Sequence, residues 1–148
     1  MTTNILIIAH APLASALKVC AEHVYPDMTD KISIMDIHSD QPLESLVNSA
    51  KSILCNIQSE QVLVLTDVFG ATPCNVAMKI VDGYHSKLVA GVNLPMLLRT
   101  VNYLNEPIDV LVDRALSGGT QCIMQVAITA PQNQNRKNHD QKQYDHHQ

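Results

Sequence analysis

Two stretches of this chain are aliphatic without interruption: Ile5-Leu6-Ile7-Ile8-Ala9 and Val62-Leu63-Val64-Leu65. A strand with one wet face alternates apolar and polar residues, so a run with no polar face needs cover on both sides. Lys87-Leu88-Val89-Ala90-Gly91 is a shorter run of the same kind. Ile32-Ser33-Ile34-Met35-Asp36-Ile37 alternates more, as suits a strand nearer a sheet edge. A sheet buried on both faces is normally parallel, with helices as its crossovers.

The segments between these runs have helical spacing. Leu13, Leu17, Cys20, Ala21 and Val24 recur every three or four residues. Leu43, Leu46, Val47, Ala50, Ile53, Leu54 and Ile57 form a longer amphipathic pattern, with Pro42 read as its first position. Thr72-Pro73 opens a third helix through about Val81, with Thr72 as its N-cap and Gly83 as its stop. Pro95 and Pro107 open two more, the latter ending at Gly118-Gly119, and Gln121 to Thr129 alternates as a last strand. The order β-α-β-α-β-α-β-α-α-β predicts a three-layer, doubly wound α/β fold with four parallel strands in the order 2-1-3-4.

Composition bounds the rest. Of 148 residues, 46% are apolar and 16% charged, which excludes wholesale disorder. Pro131 to Gln148 contains no aliphatic residue, so a folded domain over 1–130 and a disordered polar tail over 131–148 are expected. No apolar run approaches the ~18 residues of a membrane span, and no basic leader precedes Asn4 to Ala9, so a cytoplasmic protein is expected. A net charge of −4, 3% aromatics and no Trp argue against nucleic acid as a partner. Cys20, Cys55, Cys74 and Cys122 lack the clustered spacing of a zinc site and read as reduced, buried thiols; no metal is expected.

Ligands of doubly wound sheets sit beyond the carboxyl ends of the strands, where the strand order reverses. The first strand ends at His10 and the third at Asp67. In the order 2-1-3-4 these strands are neighbours, and both side chains project into one crevice. A carboxylate that accepts Nδ1–H fixes the imidazole tautomer and leaves Nε2 as a nucleophile. Gly70-Ala71-Thr72-Pro73 follows, a loop entering a helix whose N-terminal N–H groups suit an anion. These residues alone fit phosphoryl transfer and hydrolysis equally. Among the other histidines, His23 and His85 read as surface residues and His38 as peripheral to the crevice; Arg99 reads as part of a solvated helix face. No GxxxxGK[ST] or GxGxxG motif is present, so direct nucleotide handling is not expected.

Three features together carry a family resemblance: the strand ending in His10, the stretch Leu65-Thr66-Asp67-Val68-Phe69-Gly70-Ala71-Thr72-Pro73-Cys74-Asn75, and Ala90-Gly91-Val92-Asn93-Leu94-Pro95-Met96-Leu97. Over about residues 4–129 the chain resembles the IIA domain of the mannose family of the bacterial phosphoenolpyruvate:sugar phosphotransferase system. The resemblance implies that His10 carries phosphate on Nε2 and that Asp67 orients its Nδ1. It implies that Thr72, with the backbone N–H groups of Gly70, Ala71 and Thr72, contacts the phosphoryl group. The donor it implies is phospho-HPr, and the acceptor a histidine or cysteine on a separate IIB component, without metal or other cofactor. It also implies a homodimer, with the strand Gln121 to Thr129 exchanged antiparallel onto the neighbouring sheet.

The chain departs from the family pattern at Ala11-Pro12, where a Gly or Ser often follows the active His, at Ala71, where a second Gly is usual, and at Cys74, where a large aromatic is common. Pro12 also removes one N–H near the phosphate. The sequence ends in a Gln/Asn/His tail instead of a linker and second domain, so a stand-alone IIA is expected. Two other functions fit the same residues: a regulatory IIA whose phosphorylation state is read by a partner without transport, and a non-enzymatic anion-binding module of flavodoxin-like topology. The IIA-like subunit that phosphorylates dihydroxyacetone kinase is a related possibility, but the stretch around Asp67 is closer to the mannose branch.

Overall fold

A computed structural model describes residues 2–128. Four parallel strands, β1 (Thr3–His10), β2 (Ile32–Ile37), β3 (Gln61–Thr66) and β4 (Ser86–Ala90), form one sheet in the order β2-β1-β3-β4. Three helices connect them, α1 (Leu13–Val24), α2 (Leu43–Asn56) and α3 (Thr72–Met78), and two more, α4 (Leu94–Val101) and α5 (Ile108–Gln121), follow β4. A 3₁₀ turn at Pro26–Lys31, for which the sequence reading made no provision, leads into β2.

The uninterrupted runs do what their composition requires. Ile5, Ile7 and Ala9 face a layer built with α1, α4 and α5, while Leu6 and Ile8 face one built with α2 and α3. Ile5 through Ile8 and Leu63 through Leu65 have no exposed surface. Fully burying each such side chain is worth about 1.5–3 kcal/mol. The central strands β1 and β3 are thereby fixed in depth and in register, with Ile8 beside Thr66.

Several boundaries differ from the sequence reading. Pro42 and Pro107 have extended ψ angles of 141° and 152° and stand as caps just outside α2 and α5. Ala71, at φ −95° and ψ 171°, is the cap of α3, and Thr72 is already its first helical residue. That helix ends at Met78, short of Val81 and Gly83, because Asp82 organises a separate turn: it accepts the N–H groups of Tyr84, His85 and Ser86. These bonds, Ser86 foremost, hold the Asp82 carboxyl far below its usual range.

The C-terminal end needs the largest correction. Gly118 and Gly119 do not stop α5, which continues to Gln121. They are points of close approach to α4: a Cβ on Gly118 would stand 2.7 Å from Arg99 Cβ, and one on Gly119 would stand 2.7 Å from Met96 Cε. Residues 123–128 form no strand, and Ile123, Met124, Val126 and Ile128 are exposed. A strand needs a neighbour to pair its backbone, and this segment pairs with no strand among the described residues. Thr129 and the tail 131–148 lie outside the described residues. The cysteine reading is corrected too: Cys74 is buried, but Cys20, Cys55 and Cys122 are free and exposed.

The two glycines separate two kinds of clash. Arg99 Cβ is fixed to its backbone and cannot retreat, whereas Met96 Cε ends a flexible side chain. Gly118→Ala is expected to cost about 1–3 kcal/mol of stability in urea unfolding, and Gly119→Ala less. Equal costs would mean that α4 and α5 do not pack as described.

Candidate active site

The topology delivers His10 and Asp67 to one crevice. The chain leaves β1 toward β2 on one side and leaves β3 toward β4 on the other, so the adjacent ends of β1 and β3 flank the switch point. Asp67 is the first residue after β3. Its Oδ2 accepts both the His10 backbone N–H at 2.9 Å and a bond from the His10 ring, Nδ1, at 2.6 Å. Its Oδ1 accepts the Val68 N–H at 2.8 Å. Burial alone would push the Asp67 carboxyl up; the bonds from the His10 backbone, the His10 ring and Val68 outweigh it and hold the carboxyl below its ordinary range. The Asp67 side chain is only 11% exposed, while that of His10 is 53% exposed. The carboxylate is therefore sheltered, and the imidazole is available to a visitor. With Nδ1 tied to a carboxylate, the free ring atom is Nε2.

The neighbouring turn is shaped by Gly70, whose φ of +88° is one that side-chain-bearing residues rarely adopt. Ala71 has φ −95°, so the loss of a second glycine there costs no strain. Among the described residues, the N–H groups of Gly70, Ala71 and Thr72 have no hydrogen-bond acceptor, and Thr72 is exposed at the start of α3. Val68 and Phe69, 51% and 77% exposed, form an apolar rim beside them.

The third sequence feature braces this site from behind. Gly91 and Val92 both donate their N–H groups to the carbonyl of Thr66, the residue before Asp67, at 3.0 and 2.9 Å. Asn93 caps α4 by accepting the Met96 N–H at 2.9 Å, and its Nδ2 donates to the Gly119 carbonyl at 2.9 Å. One asparagine thus joins the starts of α4 and the end of α5 beside the tip of β3. The sequence reading recognised these residues without giving them a task.

The weaker candidates fall elsewhere. His23, His38 and His85 are exposed, and His85 pairs with Asp82 in the turn before β4, at the opposite end of the sheet from His10. Arg99 is half-buried with its stem over Gly118, not on a solvated face. Among the described residues, no group of three or more His, Cys, Asp or Glu is arranged to hold a metal ion.

Residues 4–115 match the family described as the phosphotransferase-system fructose IIA component, of the mannose IIA type. The chain belongs to this family. Among its relatives, the sorbose-specific EIIA component of Lacticaseibacillus casei is 31% identical over 115 residues, covering 76% of this chain and 83% of that protein. The mannose-specific EIIAB component of Escherichia coli K12 is 32% identical over 103 residues, covering 68% of this chain. The match spans only 32% of that longer protein. In fold, the IIA domain is similar to the mannose/sorbose-specific IIA subunit from Enterococcus faecalis, with a TM-score of 0.78 at 23% identity, over 88% of this chain and 98% of that one. It is likewise similar to the IIA protein associated with the fucose utilization operon of Streptococcus pneumoniae, with a TM-score of 0.75 at 20% identity, over 84% and 93% of the two chains.

The Asp67 bonds have a pH signature. A carboxyl whose folded pKa is lowered adds stability above its unfolded pKa of about 3.9 and loses it as pH falls through the folded value. The stability advantage of wild type over Asp67→Asn should therefore be full above about pH 4 and shrink below it. A carbonyl-carbon NMR titration should find the Asp67 midpoint below the ordinary aspartate value of about 3.9. A midpoint at or above the ordinary value would contradict the hydrogen-bonded carboxylate.

Proposed function

We propose that this IIA component is a phosphohistidine carrier, taking a phosphoryl group from phospho-HPr onto Nε2 of His10 and passing it to a IIB component. The observation that carries the reading is the 2.6 Å contact between His10 Nδ1 and Asp67 on an imidazole that is otherwise open to solvent. Transfer between two imidazoles is an in-line displacement that depends on positioning and charge stabilisation. The Nε2 lone pair attacks phosphorus as the donor's P–N bond breaks, and that electron pair returns to the donor ring. His10 acquires positive charge as the new bond forms, and Asp67 offsets it across Nδ1–H. The N–H groups of Gly70, Ala71 and Thr72, together with the Thr72 hydroxyl, receive the equatorial oxygens. Val68 and Phe69 give the donor protein an apolar surface beside the reacting nitrogen.

Incubation with phosphoenolpyruvate, enzyme I and HPr should place one acid-labile, base-stable phosphate on His10. His10→Ala should take none, and Asp67→Asn should slow transfer by about 10²-fold through loss of ring alignment. Label on His10→Ala, or no label on wild type, would overturn the assignment.

The same reading includes a homodimer. β4 is an edge strand, and the exposed Ile123, Met124, Val126 and Ile128 follow α5 directly. Paired antiparallel on the β4 edge of a second copy, this segment would gain both backbone partners and apolar cover. Sedimentation should find the full chain dimeric and a chain ending at Cys122 monomeric; identical mass ratios for both would exclude the exchange.

A further inference from the structure

We infer that Asp36 and Ser15 form a positioning clasp for His10, a role that rests on the carrier reading above. The start of α1 lacks a cap of its own. The loop from His10 to α1 is only Ala11-Pro12, and Pro12, the cap residue of α1, has no side-chain group to bond the orphan N–H groups of the first turn. The neighbouring strand supplies the missing acceptor. Asp36 lies beside Ala9 in the β1–β2 register, one residue before His10. Its Oδ1 accepts the Ser15 N–H at 3.1 Å, and its Oδ2 accepts the Ser15 hydroxyl.

Asp36 stands where the strand pattern calls for an apolar residue. It shares a sheet face with Ile32 and Ile34, which pack in the layer between the sheet and α1. An aliphatic residue would continue that layer; a half-buried carboxylate there needs partners. It finds them at the positive end of α1, where a negative charge is favoured. Ala11 N–H donates to the Ile37 carbonyl at 2.9 Å, so the short loop is held at two points on β2. Asp67 fixes the His10 ring from the β3 side. Asp36 and Ser15 fix the backbone on which that ring is mounted from the β2 side. Neither residue hydrogen-bonds the ring, whose partner is Asp67, so their part in transfer is to keep Nε2 in line.

Single-turnover transfer from phospho-HPr to the full chain tests this, with circular dichroism to confirm the fold. Ser15→Ala keeps the backbone bond to Asp36 and is the gentler variant; Asp36→Asn is its companion. Each should lower the saturating transfer rate about tenfold, with KM for phospho-HPr changed by less than about twofold. The double variant should be no slower than the slower single one, because the two groups act as a unit. Ser15→Thr, which restores the hydroxyl, should restore the rate. Amide hydrogen exchange gives a readout independent of the carrier reading: His10 and Ala11 should exchange about tenfold faster in Ser15→Ala while Leu63 is unchanged. A lower melting temperature with an unchanged transfer rate would reduce the clasp to a stabilising cap and overturn the inference, as would unchanged exchange at His10 and Ala11. A wild-type chain that takes no phosphate contradicts the carrier reading alone, and the exchange result then decides the clasp by itself.

Discussion

The crevice at the carboxyl ends of β1 and β3 depends on one carboxylate, Asp67, and the bonds it accepts. Asp67 follows a strand whose last four residues are fully buried. Its two oxygens take the His10 N–H, the His10 ring and the Val68 N–H. A half-buried carboxylate without these donors would be costly, so the same bonds that make Asp67 tolerable there also hold the imidazole. Fold stability and ring orientation are one interaction seen from two sides.

That interaction is useful only because the sheet places β1 and β3 side by side. The aliphatic runs lock their register, and the turn from Gly70 to Thr72 follows Asp67 closely in the chain, its N–H groups without an acceptor among the described residues. Rigidity is added from both flanks. On one side, Gly91, Val92 and Asn93 bind the tip of β3 to α4 and α5. On the other, Asp36 binds the start of α1 to β2. The imidazole itself is left exposed.

Much of this was legible in the sequence because it follows from periodicity. Doubly apolar runs demanded a covered parallel sheet, and the sheet demanded that ligand-handling residues lie after β1 and β3. His10, Asp67 and the Gly70 turn follow from that geometry. What was not legible depends on tertiary approach. Gly118-Gly119 has the composition of a helix stop, but its glycines make room for Arg99 and Met96. Asp36 reads as a polar residue in an alternating strand, and only the register reveals that it caps a helix begun by a proline. The alternation from Gln121 to Thr129 is strand-like, but periodicity does not say whether a segment finds an edge to pair with, and 123–128 form no strand.

The most direct test of the account is the side-chain nitrogen spectrum of His10 with its ring neutral. If Asp67 accepts a hydrogen bond from Nδ1, that nitrogen carries the proton and Nε2 shows the shift of a bare, lone-pair nitrogen, with the pattern weakened in Asp67→Asn. A proton on Nε2 in the wild-type chain would contradict the account at its root.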